Sequence, residues 1–120
     1  MATQGETMTQ NANLVRGTLD LLILKALTWE PRHGYGISEW IETVTSGTLL
    51  IEEGTLYPAL HRLQGKGWID SEWGLSENNR RARYYQMTDN GVRHLANETE
   101  SWSRYTAAVA QALAMDAPTP

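Results

Sequence analysis

The spacing of apolar residues changes character twice along this chain, and those changes limit the folds open to it. Up to Gly67 the apolar positions recur at helical intervals, from Ile69 to Met87 they alternate, and from Val92 onward they step by three and four. The stretch just before the first change, EGTLYPALHRLQGKG from Glu53 to Gly67, carries Leu56, Leu60 and Leu63 at i, i+4 and i+7. That spacing sets three leucines on one stripe of a helix. At about 100° per residue, Gly54, Pro58, His61 and Arg62 then point away from the stripe, with Thr55 and Tyr57 on its flanks. No acid lies between Glu53 and Asp70, whereas Arg62 and Lys66 both do. A helix with leucines inside and Tyr, His and Arg outside suits a negatively charged partner, and double-stranded DNA is the first candidate. The bland alternative is an ordinary solvated face. Gly54 and Thr55 open the helix, and Gly65 and Gly67 stop it. Pro58 is harmless in a first turn and kinks the helix if it starts earlier.

Upstream, Met1 to Asn13 has little to bury and reads as a mobile tail. From Leu14 a helix is expected, with Val15, Leu19, Leu22, Ile23, Ala26 and Leu27 on one side and Leu21 and Leu24 on another. A helix apolar on two sides needs two neighbours. Trp29-Glu30-Pro31 ends it, because a residue before proline is pushed out of the helical region. His33-Gly34-Tyr35-Gly36 forms a turn, Ile37, Trp40, Ile41 and Val44 mark a second helix, and Ser46-Gly47 closes that helix. A short link then joins it to the Glu53 helix, as in a helix-turn-helix.

After Gly67, Ile69, Ser71 and Trp73 alternate with Asp70 and Glu72, and Arg83, Tyr85 and Met87 alternate with Ala82, Tyr84 and Gln86. This is a two-stranded hairpin whose tip, with Arg80, Arg81 and Arg83, forms a positive finger. Thr88 is a good N-cap for a final helix, with Asp89 placed for the helix dipole. Along that helix Val92, Leu95, Thr99, Trp102, Thr106, Val109 and Leu113 form a heptad seam. Covering such a seam over roughly 40 Å exceeds what one small core can do, so a second subunit is expected on it, with Leu21 and Leu24 alongside.

The expected fold is mainly α with a small β-hairpin: a winged helix-turn-helix domain followed by a long C-terminal dimerisation helix. Residues 1–13 are the tail, 14–88 the DNA-binding domain, 89–115 the dimerisation helix and 116–120 a frayed end. With 120 residues, 41% of them hydrophobic, one compact domain plus an added element fits. The absence of cysteine rules out disulfide and thiolate chemistry and fits a reducing, cytoplasmic setting. The apolar run at Leu19 to Leu27 is broken by Asp20 and Lys25, and the polar start lacks a signal-peptide pattern, so no membrane association is expected. The formal net charge of -4 is unusual for a nucleic-acid binder and confines the basic surface to a local face.

The motifs HGYGI at His33 to Ile37, GTLYPALHRLQGKGWI at Gly54 to Ile69 and RRARYYQMTDNG at Arg80 to Gly91 together resemble those of PadR-like transcriptional regulators. The resemblance spans about Leu14 to Leu113 and points to the shorter branch with one C-terminal helix. It implies a homodimeric winged-helix repressor whose third helix enters the major groove while the wing contacts the DNA backbone. The chain departs from the family pattern at Glu52-Glu53, where a small polar cap is common, and in its acidic balance. The DNA-binding set is Tyr35, Thr55, Tyr57, Pro58, His61, Arg62, Lys66, Arg80, Arg81 and Arg83. The resemblance further implies a small aromatic effector held between paired tryptophans, for which Trp102 is the candidate. Flat packing of Trp102 in the interface is the alternative.

No catalytic, cofactor or metal set is expected. His33, His61 and His94 fall in three separate elements without ligand spacing, and there is no phosphate loop or nucleophile elbow. The stronger rival is a winged helix that binds protein instead of DNA, since one fold serves both uses.

Overall fold

The computed structural model describes residues 16–119; the expected tail from Met1 to Asn13, the helical start at Leu14 and Val15, and Pro120 lie outside the described residues. The elements are α1 (Arg16–Ala26), β1 (Arg32–His33), α2 (Gly34–Val44), α3 (Glu53–Gly65), β2 (Ile69–Leu75), β3 (Arg81–Met87) and α4 (Asp89–Leu113). Three helices, a small antiparallel sheet and a long last helix make up the expected winged architecture. The sheet has three strands, in the order β1-β3-β2, where the sequence suggested two. β1 joins through Arg32 opposite Tyr85 and His33 opposite Tyr84, and a strand of two residues has no period to read.

The local chemistry explains each boundary. α1 stops at Ala26, short of the Trp29-Glu30-Pro31 signal, as the N–H groups of Leu27 and Thr28 turn back to the carbonyls of Leu24 and Lys25, each at 3.1 Å. Arg32 Nε then donates to the carbonyl of Ala26 at 2.8 Å, satisfying one of the open helix-end acceptors. The HGYG segment is the start of α2 and not a separate turn: His33 is its N-cap, with Nδ1 accepting from the N–H of Gly36 at 3.0 Å. At the other end Ser46 and Gly47 both take positive φ, 53° and 77°, and the Gly47 N–H donates to the carbonyl of Glu42 at 2.8 Å. α3 begins at Glu53, with Glu52 as a cap that makes no side-chain hydrogen bond. Pro58 therefore lies inside α3, so the carbonyl of Gly54 lacks its backbone donor.

The core is apolar throughout. Leu19, Ile23, Leu24 and Leu27 of α1 meet Ile37 and Ile41 of α2, the stripe Leu56, Leu60 and Leu63 of α3, and Ile69 and Tyr85 of the sheet. At ~1.5–3 kcal/mol per buried aliphatic side chain, these contacts dominate the stability of the domain. Leu24, expected at a subunit interface, is instead wholly enclosed in this core, whereas Leu21 stays partly open. A helix apolar all round does not declare which side turns inward.

α4 is anchored at one end and free at the other. Thr88 caps it, its Oγ1 accepting from the N–H of Gly91 at 3.1 Å while donating to the carbonyl of Gly67 at 2.6 Å. Gly91 lies so close to the carbonyl oxygen of Trp68 that a Cβ there would overlap it. One turn on, His94 stacks on the Trp68 ring with centroids 3.5 Å apart and planes 12° apart. Past Leu95, a partly buried member of the seam, the helix leaves the domain: Trp102, Val109 and Leu113 expose 37%, 38% and 80% of their surface. The single chain leaves most of its heptad seam uncovered, and the molecule measures 58 × 34 × 21 Å. Among the described residues no helix is long and apolar enough to cross a membrane.

Candidate nucleic-acid interface

Burial of Leu56, Ala59, Leu60 and Leu63 fixes which side of α3 is open. Tyr57, Pro58, His61 and Gln64 are exposed along it, and Thr55 is partly covered at its edge. Tyr57 does not swing freely: its phenol packs where Gly34 has no side chain, so any Cβ on Gly34 would strike the Tyr57 ring. The glycine in the HGYG motif thereby seats the first aromatic of α3.

β2 and β3 bring their cations to the same side. In the register Trp73 faces Arg83 and Leu75 faces Arg81, so Ser71, Trp73, Arg81, Arg83 and Tyr85 share one face of the wing. That face and α3 enclose a groove of about 520 Å³, lined by Tyr57, His61, Gln64, Arg83 and Tyr85. A second hollow of about 560 Å³ continues toward the wing tip, between Tyr35 and Tyr57 on the helices and Trp73, Arg80 and Arg81 on the wing. Burial, and next the neighbouring Tyr57 phenol, raise the Tyr85 hydroxyl above its ordinary 10.0, with Arg83 pulling the other way. Tyr85 is thus a neutral hydroxyl at physiological pH.

The wing arginines are more ordered than a basic loop would suggest. Only Arg80 belongs to the connection; Arg81 and Arg83 lie on β3, and their guanidinium carbons sit 4.3 and 4.9 Å from the centroid of the Trp73 ring. One exposed indole therefore holds two like charges side by side. The tip itself is closed by the Ser76 N–H on the Arg80 carbonyl at 2.9 Å, with Asn79 in the left-handed region at φ 60°. Glu77 lies 3.9 Å from Nε2 of His33, which places the tip beside the start of α2.

Two expected site residues are held elsewhere. Arg62 does not project freely from the open side of α3: its Nη2 meets Oδ1 of Asp20 on α1 at 2.5 Å, and the two side chains are only 26% and 18% exposed. The helical wheel gave its direction correctly as off the leucine stripe, but the neighbouring helix supplies an acid at that edge. Lys66, the C-cap of α3, extends over the Trp68 ring at 5.1 Å.

The acids have a location as well. Glu39 and Glu42 of α2 and Glu52 and Glu53 at the start of α3 border a cleft of about 670 Å³ beside Tyr35 and Tyr57. Carboxylates at the start of α3 favour its dipole but repel phosphate, which directs any polyanion toward the wing end of the helix. Gln64, Ser71 and Trp73 are the site residues that the sequence reading missed. Gln64 was accessible to the same wheel argument, three residues past His61. Trp73 carries no signal until the hairpin register places it between two arginines.

Helix-turn-helix, exposed α3 and cationic wing define a winged helix-turn-helix protein of the DNA-binding class. Residues 23–97 match the transcriptional regulator PadR-like family. An uncharacterized protein of Lysinibacillus sphaericus is 32% identical over 92 residues, covering 77% of this chain and 84% of its own. Among solved structures, a transcriptional regulator from Clostridium thermocellum is similar at 32% identity and a TM-score of 0.75, over 82% of this chain and 96% of its own. A PadR-like transcriptional regulator from Bacillus cereus is similar at 26% identity and a TM-score of 0.74, over 87% and 99% of the two chains. The chain belongs to the PadR-like family of transcriptional regulators.

Proposed function

We propose that this DNA-binding regulator acts as a homodimeric repressor on an inverted-repeat operator and responds to a small aromatic effector. The observation that carries the DNA reading is the shared groove of Tyr57, His61 and Gln64 on α3 with Arg83 on β3, continued by Tyr35, Arg80 and Arg81 toward the tip. Side chains on a rigid helix can follow base edges, while cations on a wing match the phosphate backbone. Arg62, paired with Asp20, takes the part of a strut between α1 and α3 in this account, and Lys66 that of a peripheral cation. The dimer is supported by the uncovered seam, in which Val92, Thr99, Trp102, Val109 and Leu113 are all exposed and Leu95 and Thr106 partly so. Trp102 lies near the middle of the seam with Tyr105 beside it at 6.0 Å between ring centroids, a pair suited to a planar aromatic molecule near a two-fold axis.

Selection of bound sequences from random duplex, followed by titration of selected and scrambled duplexes between ~50 and ~200 mM salt, tests the proposal. A palindromic selected sequence and a steep salt dependence are expected. No binding to any duplex would leave the protein-interaction use of the fold as the correct one.

A further inference from the structure

The C-terminal turn of α3 carries a side chain whose hydrogen-bonding edge is already oriented. Gln64 is exposed and lines the α3–wing groove together with His61, and its Oε1 accepts a hydrogen bond from the Ser71 hydroxyl of β2 at 3.1 Å. Ser71 is itself fixed, because it sits opposite the buried Tyr85 in the β2–β3 ladder. A terminal amide is normally free to turn over, and its two ends differ only in which donates and which accepts. In this structure the Ser71 hydroxyl donates to Oε1. It leaves the Nε2 hydrogens and the second lone pair of Oε1 directed to the groove, a donor beside an acceptor.

We infer that Gln64 is a specificity-determining residue of this regulator, reading an adenine edge in the major groove, with Ser71 as its positioning residue. A donor and an acceptor side by side match the N7 acceptor and N6 donor of adenine, whereas guanine offers two acceptors there. The inference rests on the DNA-binding reading above. Two further features of the interface favour it. The acids Glu52 and Glu53 turn phosphate away from the start of α3, so the duplex meets the helix from Tyr57 onward, where His61 and Gln64 follow at one-turn intervals. The guanidinium of Arg62, the strongest alternative reader on α3, is bound to Asp20.

The test is a binding profile of the full chain on duplexes carrying each of the four base pairs at every position of the selected half-site. Wild type should prefer adenine at one position of each half-site by roughly 5- to 150-fold. Gln64→Ala should flatten that position alone, with the base preferences at the other positions of the half-site kept. Ser71→Ala should flatten the same position in part, and Ser71→Thr, which keeps the hydroxyl, should restore it. Equal weakening on all sequences would make Gln64 a backbone contact, and an unchanged profile, or flattening where adenine is not preferred, would equally overturn the inference. Failure of wild type to bind any duplex would instead overturn the DNA reading on which it stands.

Discussion

The ion pair between Asp20 and Arg62 gives the sharpest separation between a structural and a recognition role. The two side chains meet at 2.5 Å but keep 18% and 26% of their surface in solvent. Fully exposed pairs couple by ~0.2–1 kcal/mol, and breaking fully buried ones costs ~3–5 kcal/mol, so this half-buried contact should couple α1 to α3 by about 1–2 kcal/mol. Arg62→Ala and Asp20→Ala should each cost about 2 kcal/mol, since each strands a partly buried charge, and the double variant should cost less than the sum by the coupling energy. The assay is urea denaturation of all four proteins at one protein concentration, with m-values checked for constancy. On DNA, Arg62→Ala should then lose affinity for preferred and scrambled duplexes in the same proportion. Additive single effects, together with a loss confined to the preferred duplex, would mean that Arg62 leaves Asp20 and contacts a base, and would rule out the strut.

Other consequences are as direct. Trp73→Ala should release Arg81 and Arg83 and weaken binding to every duplex by similar factors, with Trp73→Tyr largely restoring it; replacing Arg80 and Arg81 by Ala should lower the salt slope by up to about 2. Polar replacement of the exposed seam residues Trp102 and Leu113 should yield a monomer in sedimentation without unfolding the winged domain, and a stable dimer would reject the seam as interface. Burial raises the Tyr85 hydroxyl above 10.0, so the folded state holds that proton more tightly than the unfolded chain. The associated stability is whole below pH 10 and falls as pH rises through the folded value, an alkaline loss that Tyr85→Phe should remove in denaturation curves.

Much of this architecture is legible in side-chain spacing, and the exceptions share a cause. Leu56, Leu60 and Leu63 announce the inner side of α3 because burial and helical period coincide there, and Thr88 announces the start of α4 because its cap bond spans three residues. Long-range partners leave no such trace. Asp20 and Arg62 are 42 positions apart, so a wheel drawn on α3 alone shows an open arginine. β1 exists only because Tyr84 and Tyr85 pair with it, and Leu24 is core only because of where α1 settles. The interface required both: its α3 half follows from period, while Ser71 and Trp73 join the same wing face as Arg83 and Tyr85 through the register of β2 on β3.

In the proposed homodimer, two copies of α3, each flanked by its wing, bind one duplex together. Half-site spacing tests this most directly. With the selected palindrome in hand, insertion of about half a helical turn between half-sites should reduce affinity to that of a single half-site, because the second site rotates to the opposite side of the DNA. A dimer held at one fixed separation should not recover when a whole turn is inserted, and the bound ratio on the parent site should be two chains per duplex. Equal binding to the parent and the half-turn duplex, or one chain per duplex at saturation, would contradict the account.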